Sequence, residues 1–216
     1  MTALREPWRA PLAIAAGVAA AVAVAFAGLA PPARAACGGV VHRAPAGRQS
    51  PAHRPPLAIG DSTMLLAVRP LARIGFEANA RGCRQWDEGL ALLARLRRQH
   101  RLAKVVLVHL GANAGVRMPS IVRALRILGP RRILILVTPR PGRDARVIRA
   151  AGRRWPRRVR VLDWVRDHAG HPGWFSGDGL HLSDAGVRAF VGFCRPFLAL
   201  SRPRRVAVRV PGGFRR

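Results

Sequence analysis

Lys104–Leu110 reads KVVLVHL and Ile133–Val137 reads ILILV. Apart from Lys104 and His109, both are apolar runs of strand length, with no alternation of polar and apolar positions. A strand that is apolar on both sides is covered on both sides, and that is the mark of a parallel sheet held between two layers of helices.

The flanking sequence supplies those helices. Leu57–Ile59 is a short apolar run ending at Gly60, and Thr63–Ile74 follows with helical character. Phe76–Ala80 is a weaker strand candidate. Asp87–Gln99 carries Leu90, Leu93 and Leu96 at helical spacing, and Ile121–Leu128 is a short helix stopped by Gly129-Pro130. Asp144–Arg154 reads as a helix, Val159–Trp164 as a last strand, and Ser183 is placed to cap a final helix reaching about Leu200. Strand and helix therefore alternate along the chain. The expected fold class is α/β: a three-layer α/β/α sandwich around a doubly wound parallel sheet of about five strands.

The chain has 216 residues, half of them apolar, so it can bury one core of ordinary size and is not globally disordered. Its net charge is +28, from 38 basic and 10 acidic residues. Lys104 is the only lysine and tyrosine is absent. Such a bias suits a GC-rich coding sequence as well as phosphate contacts, and the arginines are spread over all segments. Nothing resembles an RNA-binding motif, so specific nucleic-acid binding is not expected. Anionic envelope polymers or a lipid surface are the partners that such a charge would attract.

Arg5 and Arg9 precede an uncharged stretch, Pro11–Ala30, which Pro31-Pro32 ends before Ala33-Arg34-Ala35. Residues 1–36 thus read as a secretory signal peptide or a retained N-terminal membrane anchor, and the protein as exported. Residues 37–55, rich in Pro, Gly and Arg, read as a linker; residues 56–201 as the folded domain; residues 202–216 as a basic tail. Export permits disulfides, but Cys37, Cys83 and Cys194 are an odd number, and spacing does not choose a pair. No apolar seam marks an oligomer, so a monomer is the default.

In doubly wound sheets, ligands bind at the carboxyl ends of the strands. There the sequence places Gly60-Asp61-Ser62, Gly82, Gly111-Ala112-Asn113 and, in the loop after the last strand, Asp178-Gly179-Leu180-His181. Together they supply a hydroxyl, an imidazole, a carboxylate and an amide, the parts that acyl transfer needs. Ser62 is the expected nucleophile, His181 its base and Asp178 the group that orients the base. The backbone amides of Ser62 and Gly82 and the side-chain amide of Asn113 are the expected oxyanion hole. Asp61 at the turn is placed to bond nearby backbone N–H groups. His109 reads as a core or supporting residue, and Trp164, Trp174 and Phe175 as loop packing or an aromatic wall.

These blocks, IGDS (Ile59–Ser62), Gly82 in ARGCRQ, HLGAN (His109–Asn113) and DGLH (Asp178–His181), resemble those of the SGNH (GDSL-like) hydrolases, over residues 57 to about 200. The pattern from Val161 to Gly186, VLDW…WFSGDGLHLSDAG, looks like the SGNH domains linked to membrane acyltransferase-3 modules. The resemblance implies a flavodoxin-like sandwich and acyl-ester chemistry without metal or organic cofactor. The substrate would be a small-molecule or glycan acyl ester, short-chain such as acetyl. Two alternatives remain open: an O-acyltransferase acting on envelope glycan, and a non-catalytic basic envelope-binding protein on the same scaffold. No P-loop, GxGxxG, HExxH, CxxC or GxSxG signature competes.

Overall fold

The computed structural model describes residues 37–47 and 54–201. The expected signal or anchor at 1–36 and the basic tail at 202–216 lie outside the described residues.

Six strands form one sheet: β1 (Val40–Arg43), β2 (Leu57–Gly60), β3 (Glu77–Arg81), β4 (Val105–His109), β5 (Ile133–Val137) and β6 (Val159–Leu162). Their order is β1-β3-β2-β4-β5-β6. The five strands from β2 to β6 pair in parallel, as the apolar runs predict, and β1 adds an antiparallel edge on β3. The helices are α1 (Val68–Ile74), α2 (Trp86–Arg98), α3 (Met118–Leu128), α4 (Arg143–Arg154), the short α5 (Trp164–Asp167) and α6 (Asp184–Cys194).

The central strands are apolar on both sides because each side has its own helices. Ile59, Val106, Val108, Leu134 and Leu136 pack in one cluster with Leu90 and Leu93 of α2, Ile121 and Leu128 of α3, and Ile148 of α4. Ala58, Val105, Leu107, Ile135 and Val137 pack in the other with Leu71 of α1 and Phe190 of α6. Taking apolar surface out of water at about 25 cal/mol per Å² makes this two-sided burial the dominant stabilising term.

Three expectations are corrected. The sheet has six strands, because part of the expected linker, Val40–Arg43, pairs with β3. Its four-residue run is too short for a periodicity signal, and a disulfide between Cys37 and Cys83 ties its amino end down. The first helix begins as a 3-10 turn, Ser62–Ala67, before α1. The last helix ends at Cys194 and continues as a 3-10 segment, Arg195–Ser201. Pro196 lacks the N–H that a longer α-helix would use. Ser183 does cap α6, accepting from the Gly186 N–H at 3.2 Å. Cys194 is buried and free, and burial pushes its thiol pKa up.

Candidate active site

The turn after β2 is built around Asp61, which is fully buried. Its Oδ1 accepts from the Thr63 N–H (3.1 Å) and the Thr63 hydroxyl (2.7 Å), which caps the 3-10 turn that Ser62 opens. Its Oδ2 accepts from the N–H groups of Gly111 (3.3 Å) and Ala112 (3.2 Å), in the loop after β4. Its own N–H donates to the His109 carbonyl (3.2 Å). One carboxylate thus fastens the Ser62 turn to the loop that carries Asn113.

Ser62 Oγ lies 3.0 Å from His181 Nε2. His181 Nδ1 is hydrogen-bonded to Asp178 Oδ2. The remaining oxygen of Asp178, Oδ1, accepts from the backbone N–H groups of Leu180 and His181 and from the Ser176 hydroxyl, each at 2.9 Å. The bond from His181, then these three donors, hold the Asp178 carboxyl well below the usual carboxylate range. The turn is closed on itself by Ser176 N–H to the His181 carbonyl (2.8 Å) and Gly179 N–H to the Ser176 carbonyl (2.9 Å). An ionised acceptor on Nδ1 selects the tautomer whose Nε2 lone pair faces the Ser62 hydroxyl. The three residues can therefore pass a proton from serine to imidazole.

The loop bearing His181 is anchored on α6. The Ser183 N–H donates to the Trp174 carbonyl (3.0 Å), and the first turn of α6 passes so close to Trp174 that any side chain at Gly186 would collide with that carbonyl. Trp164 is buried, and Trp174 stacks on it with ring centroids 5.5 Å apart. These aromatics pack the loop against the domain. At the foot of the loop, Asp163 takes Arg149 through both oxygens (2.7 and 2.9 Å) and the Thr138 hydroxyl (3.2 Å). Burial opposes ionisation of Asp163, but these bonds outweigh it and its pKa is lowered.

Asn113 is exposed in the loop after β4, and its Nδ2 donates a long bond (3.4 Å) to the Arg84 carbonyl. Gly82 is buried at the end of β3, where a side chain would strike the Cys37 carbonyl. The Cys37 arm and the Gly82 turn thus lie in direct contact, and the disulfide locks them together. His109 is buried and stacked on Phe190 at 5.1 Å, and burial lowers its pKa.

Arg84 was not legible from the sequence. It is only 5% exposed, and its Nη1 donates to the carbonyls of Gly60 (3.1 Å) and Asn79 (2.9 Å), with Nη2 on Asn79 Oδ1 (2.6 Å). It braces the turn that precedes Ser62. In a chain with this many arginines, composition gives no reason to single it out.

No family model and no curated protein sequence matches the chain. Solved structures do. The C-terminal catalytic domain of Streptococcus pneumoniae peptidoglycan O-acetyltransferase A, solved with a methylsulfonyl adduct, aligns at a TM-score of 0.61 and 21% identity, over 68% of this chain and 93% of that one. A family 3 carbohydrate esterase of Clostridium thermocellum aligns at 0.52 and 14% identity, over 68% and 96%. A Slackia heliotrinireducens protein described as an SGNH hydrolase aligns at 0.50 and 18% identity, over 65% and 96%. What these likenesses establish is a shared fold.

Proposed function

We propose that this chain, whose fold is that of the SGNH hydrolases, is an exported serine esterase that cleaves short acyl esters such as acetyl esters. The observation that carries the reading is the hydrogen-bonded line from Ser62 Oγ through His181 to Asp178. Ser62 Oγ attacks the ester carbonyl carbon as its proton moves to His181 Nε2, and Asp178 stabilises the imidazolium. His181 then gives that proton to the departing alkoxide, leaving an acyl group on Ser62. A water, deprotonated by His181, attacks the acyl carbon, the acid departs and Ser62 regains its proton. The amides of Ser62 and Gly82 and Asn113 Nδ2 are assigned to the oxyanion, each such donor contributing about 3 kcal/mol to the transition state. Among the described residues, Asn113 Nδ2 has only a long bond to the Arg84 carbonyl to give up for this.

A second reading is transfer of the acyl group to a glycan hydroxyl. It is favoured by the openness of the site: the side chains of Asp178 and His181 are 48% and 41% exposed, so a polymer can reach them. The likeness to a peptidoglycan O-acetyltransferase domain points the same way. The apolar segment at 11–30 supports export, as a cleaved signal or a membrane tether.

The test is to treat the protein with a serine-reactive phosphonate and locate the label by peptide mapping. Labelling of Ser62, lost in His181→Ala, is expected. A folded protein that takes no label at Ser62 contradicts the reading. Products from an O-acetylated oligosaccharide then separate the two readings: free acetate means hydrolysis, and acetyl groups moved to a second sugar mean transfer.

A further inference from the structure

Strand β3 alternates. Ala78 and Ala80 face the core under α1, while Glu77, Asn79 and Arg81 point to the other side of the sheet, where α2 does not fully cover β3 and β1. The uncovered strip forms a cleft of about 410 Å³ against α2. Its α2 wall presents Glu88, Arg95 and Arg98, which share one helical face. Asn79, Arg81 and the buried Arg84 also line it, and Val40, Ala91 and Leu92 supply its apolar surface.

The cleft carries unbalanced positive charge. Its single carboxylate among the described residues, Glu88, is bonded to Arg81 at 2.8 Å. Arg84, Arg95 and Arg98 take no carboxylate partner among the described residues. Arg84 has five N–H groups, three of which hold Gly60 and Asn79; one on Nη2 and that on Nε take no partner among the described residues. Burial, then the neighbouring Arg81 charge, lower its pKa, against the smaller pull of Glu88 and Asp61. A buried guanidinium with spare donors, on the wall of a roomy cleft beside two unpaired arginines, is a built site for an anion of more than one charge.

We propose that the cleft between α2 and the β1–β3 edge binds a phosphate group, and that Arg84 links it to the nucleophile turn through the Gly60 carbonyl. The phosphate is free or borne on a larger molecule as a monoester; guanidinium forks recognise both. The same guanidinium that meets the anion holds the residue two places before Ser62. Phosphate binding does not depend on the esterase reading; the coupling to turnover rests on it.

The experiment is calorimetric titration of the full chain with inorganic phosphate at constant ionic strength, with glucose 6-phosphate and acetate in parallel. Saturable binding of phosphate is expected, weakened at least tenfold in Arg95→Ala/Arg98→Ala and unchanged in Arg153→Ala/Arg154→Ala on α4. Tighter binding of glucose 6-phosphate assigns the group to a monoester, and equal or weaker binding assigns it to free phosphate. No saturation, acetate binding as tightly, or equal loss in both double variants would overturn the site. Saturating phosphate should change ester turnover of the wild type and not of Arg95→Ala/Arg98→Ala, whose basal turnover is intact. Binding without that difference would overturn the link through Arg84. If no ester is turned over at all, the titration alone still decides the site.

Discussion

His181 Nε2 stands 3.0 Å from Ser62 Oγ across a sequence separation of 119 residues. No local feature of the chain enforces that distance. It is set by the sheet, which brings the carboxyl ends of β2 and β6 to one rim, and by the α6 cap, which holds the loop between them.

Because the Asp178 carboxyl is held well below the usual carboxylate range, first by His181 and then by three further donors, it stays ionised as the medium is acidified. A depressed folded-state pKa means that the charged form is kept below the pH where an ordinary aspartate would take a proton. The acid loss of kcat/KM should therefore draw no proton onto Asp178, and its limiting slope in a logarithmic plot should not exceed one. A slope of two, from an added proton on Asp178, would contradict the geometry. Asp178→Asn should lower kcat about 10³–10⁴-fold, because the imidazole loses its tautomer and its charge partner.

Asp61→Asn replaces one carboxylate oxygen with an NH₂ group. In either amide orientation, N–H donors that now meet an oxygen would meet another donor: those of Gly111 and Ala112, or those of Thr63. We expect a loss of roughly 3 kcal/mol in stability, from bonds to a charged acceptor worth ~1.5–3 kcal/mol each and partly retained. Activity should fall by more than the unfolded fraction accounts for, since the Ser62 and Asn113 loops are no longer tied together. Urea melts and kcat measured on the same samples check this.

The Cys37–Cys83 disulfide closes a loop of sequence separation 46. Chain entropy assigns such a crosslink about 4 kcal/mol at most, or roughly 10 °C in Tm for a domain of this size. Reduction should also release the Cys37 backbone from Gly82 and so loosen the turn that carries Gly82 and Arg84. Thermal melts and ester turnover with and without dithiothreitol check both parts, with Cys194→Ser as the control that leaves the bridge intact.

Asp163→Asn should cost about 1–2 kcal/mol at neutral pH, a figure reduced from that of a fully buried pair because Arg149 is 38% exposed. The folded-state pKa of Asp163 is lowered, so its contribution is present above the unfolded carboxylate pKa and is lost as pH falls through the folded one. Stability curves of the wild type and the variant should converge at low pH. Curves that stay parallel would contradict the pairing.

The parallel strands were legible because KVVLVHL and ILILV are apolar on both sides, and burial beneath two helical layers is the physical reason for that pattern. The blocks at their ends were legible because the fold class alone says where strand ends meet. Strand β1 was not, since four residues at an edge need no two-sided burial and owe their place to pairing and a crosslink. The disulfide partner depended on tertiary distance, which spacing does not encode. Gly82 was singled out for its amide, while the structure adds a steric reason for glycine, the close pass of Cys37. Arg84 and the Arg149–Asp163 pair were hidden because their roles come from burial and partners rather than from residue type.

The most direct test of the account is hydrolysis of short p-nitrophenyl esters by the purified protein beside Ser62→Ala and His181→Ala. The account predicts turnover by the wild type that both substitutions abolish while the fold, followed by circular dichroism, is unchanged. Turnover that survives Ser62→Ala, or a folded wild type that neither turns over esters nor acylates Ser62, would contradict it.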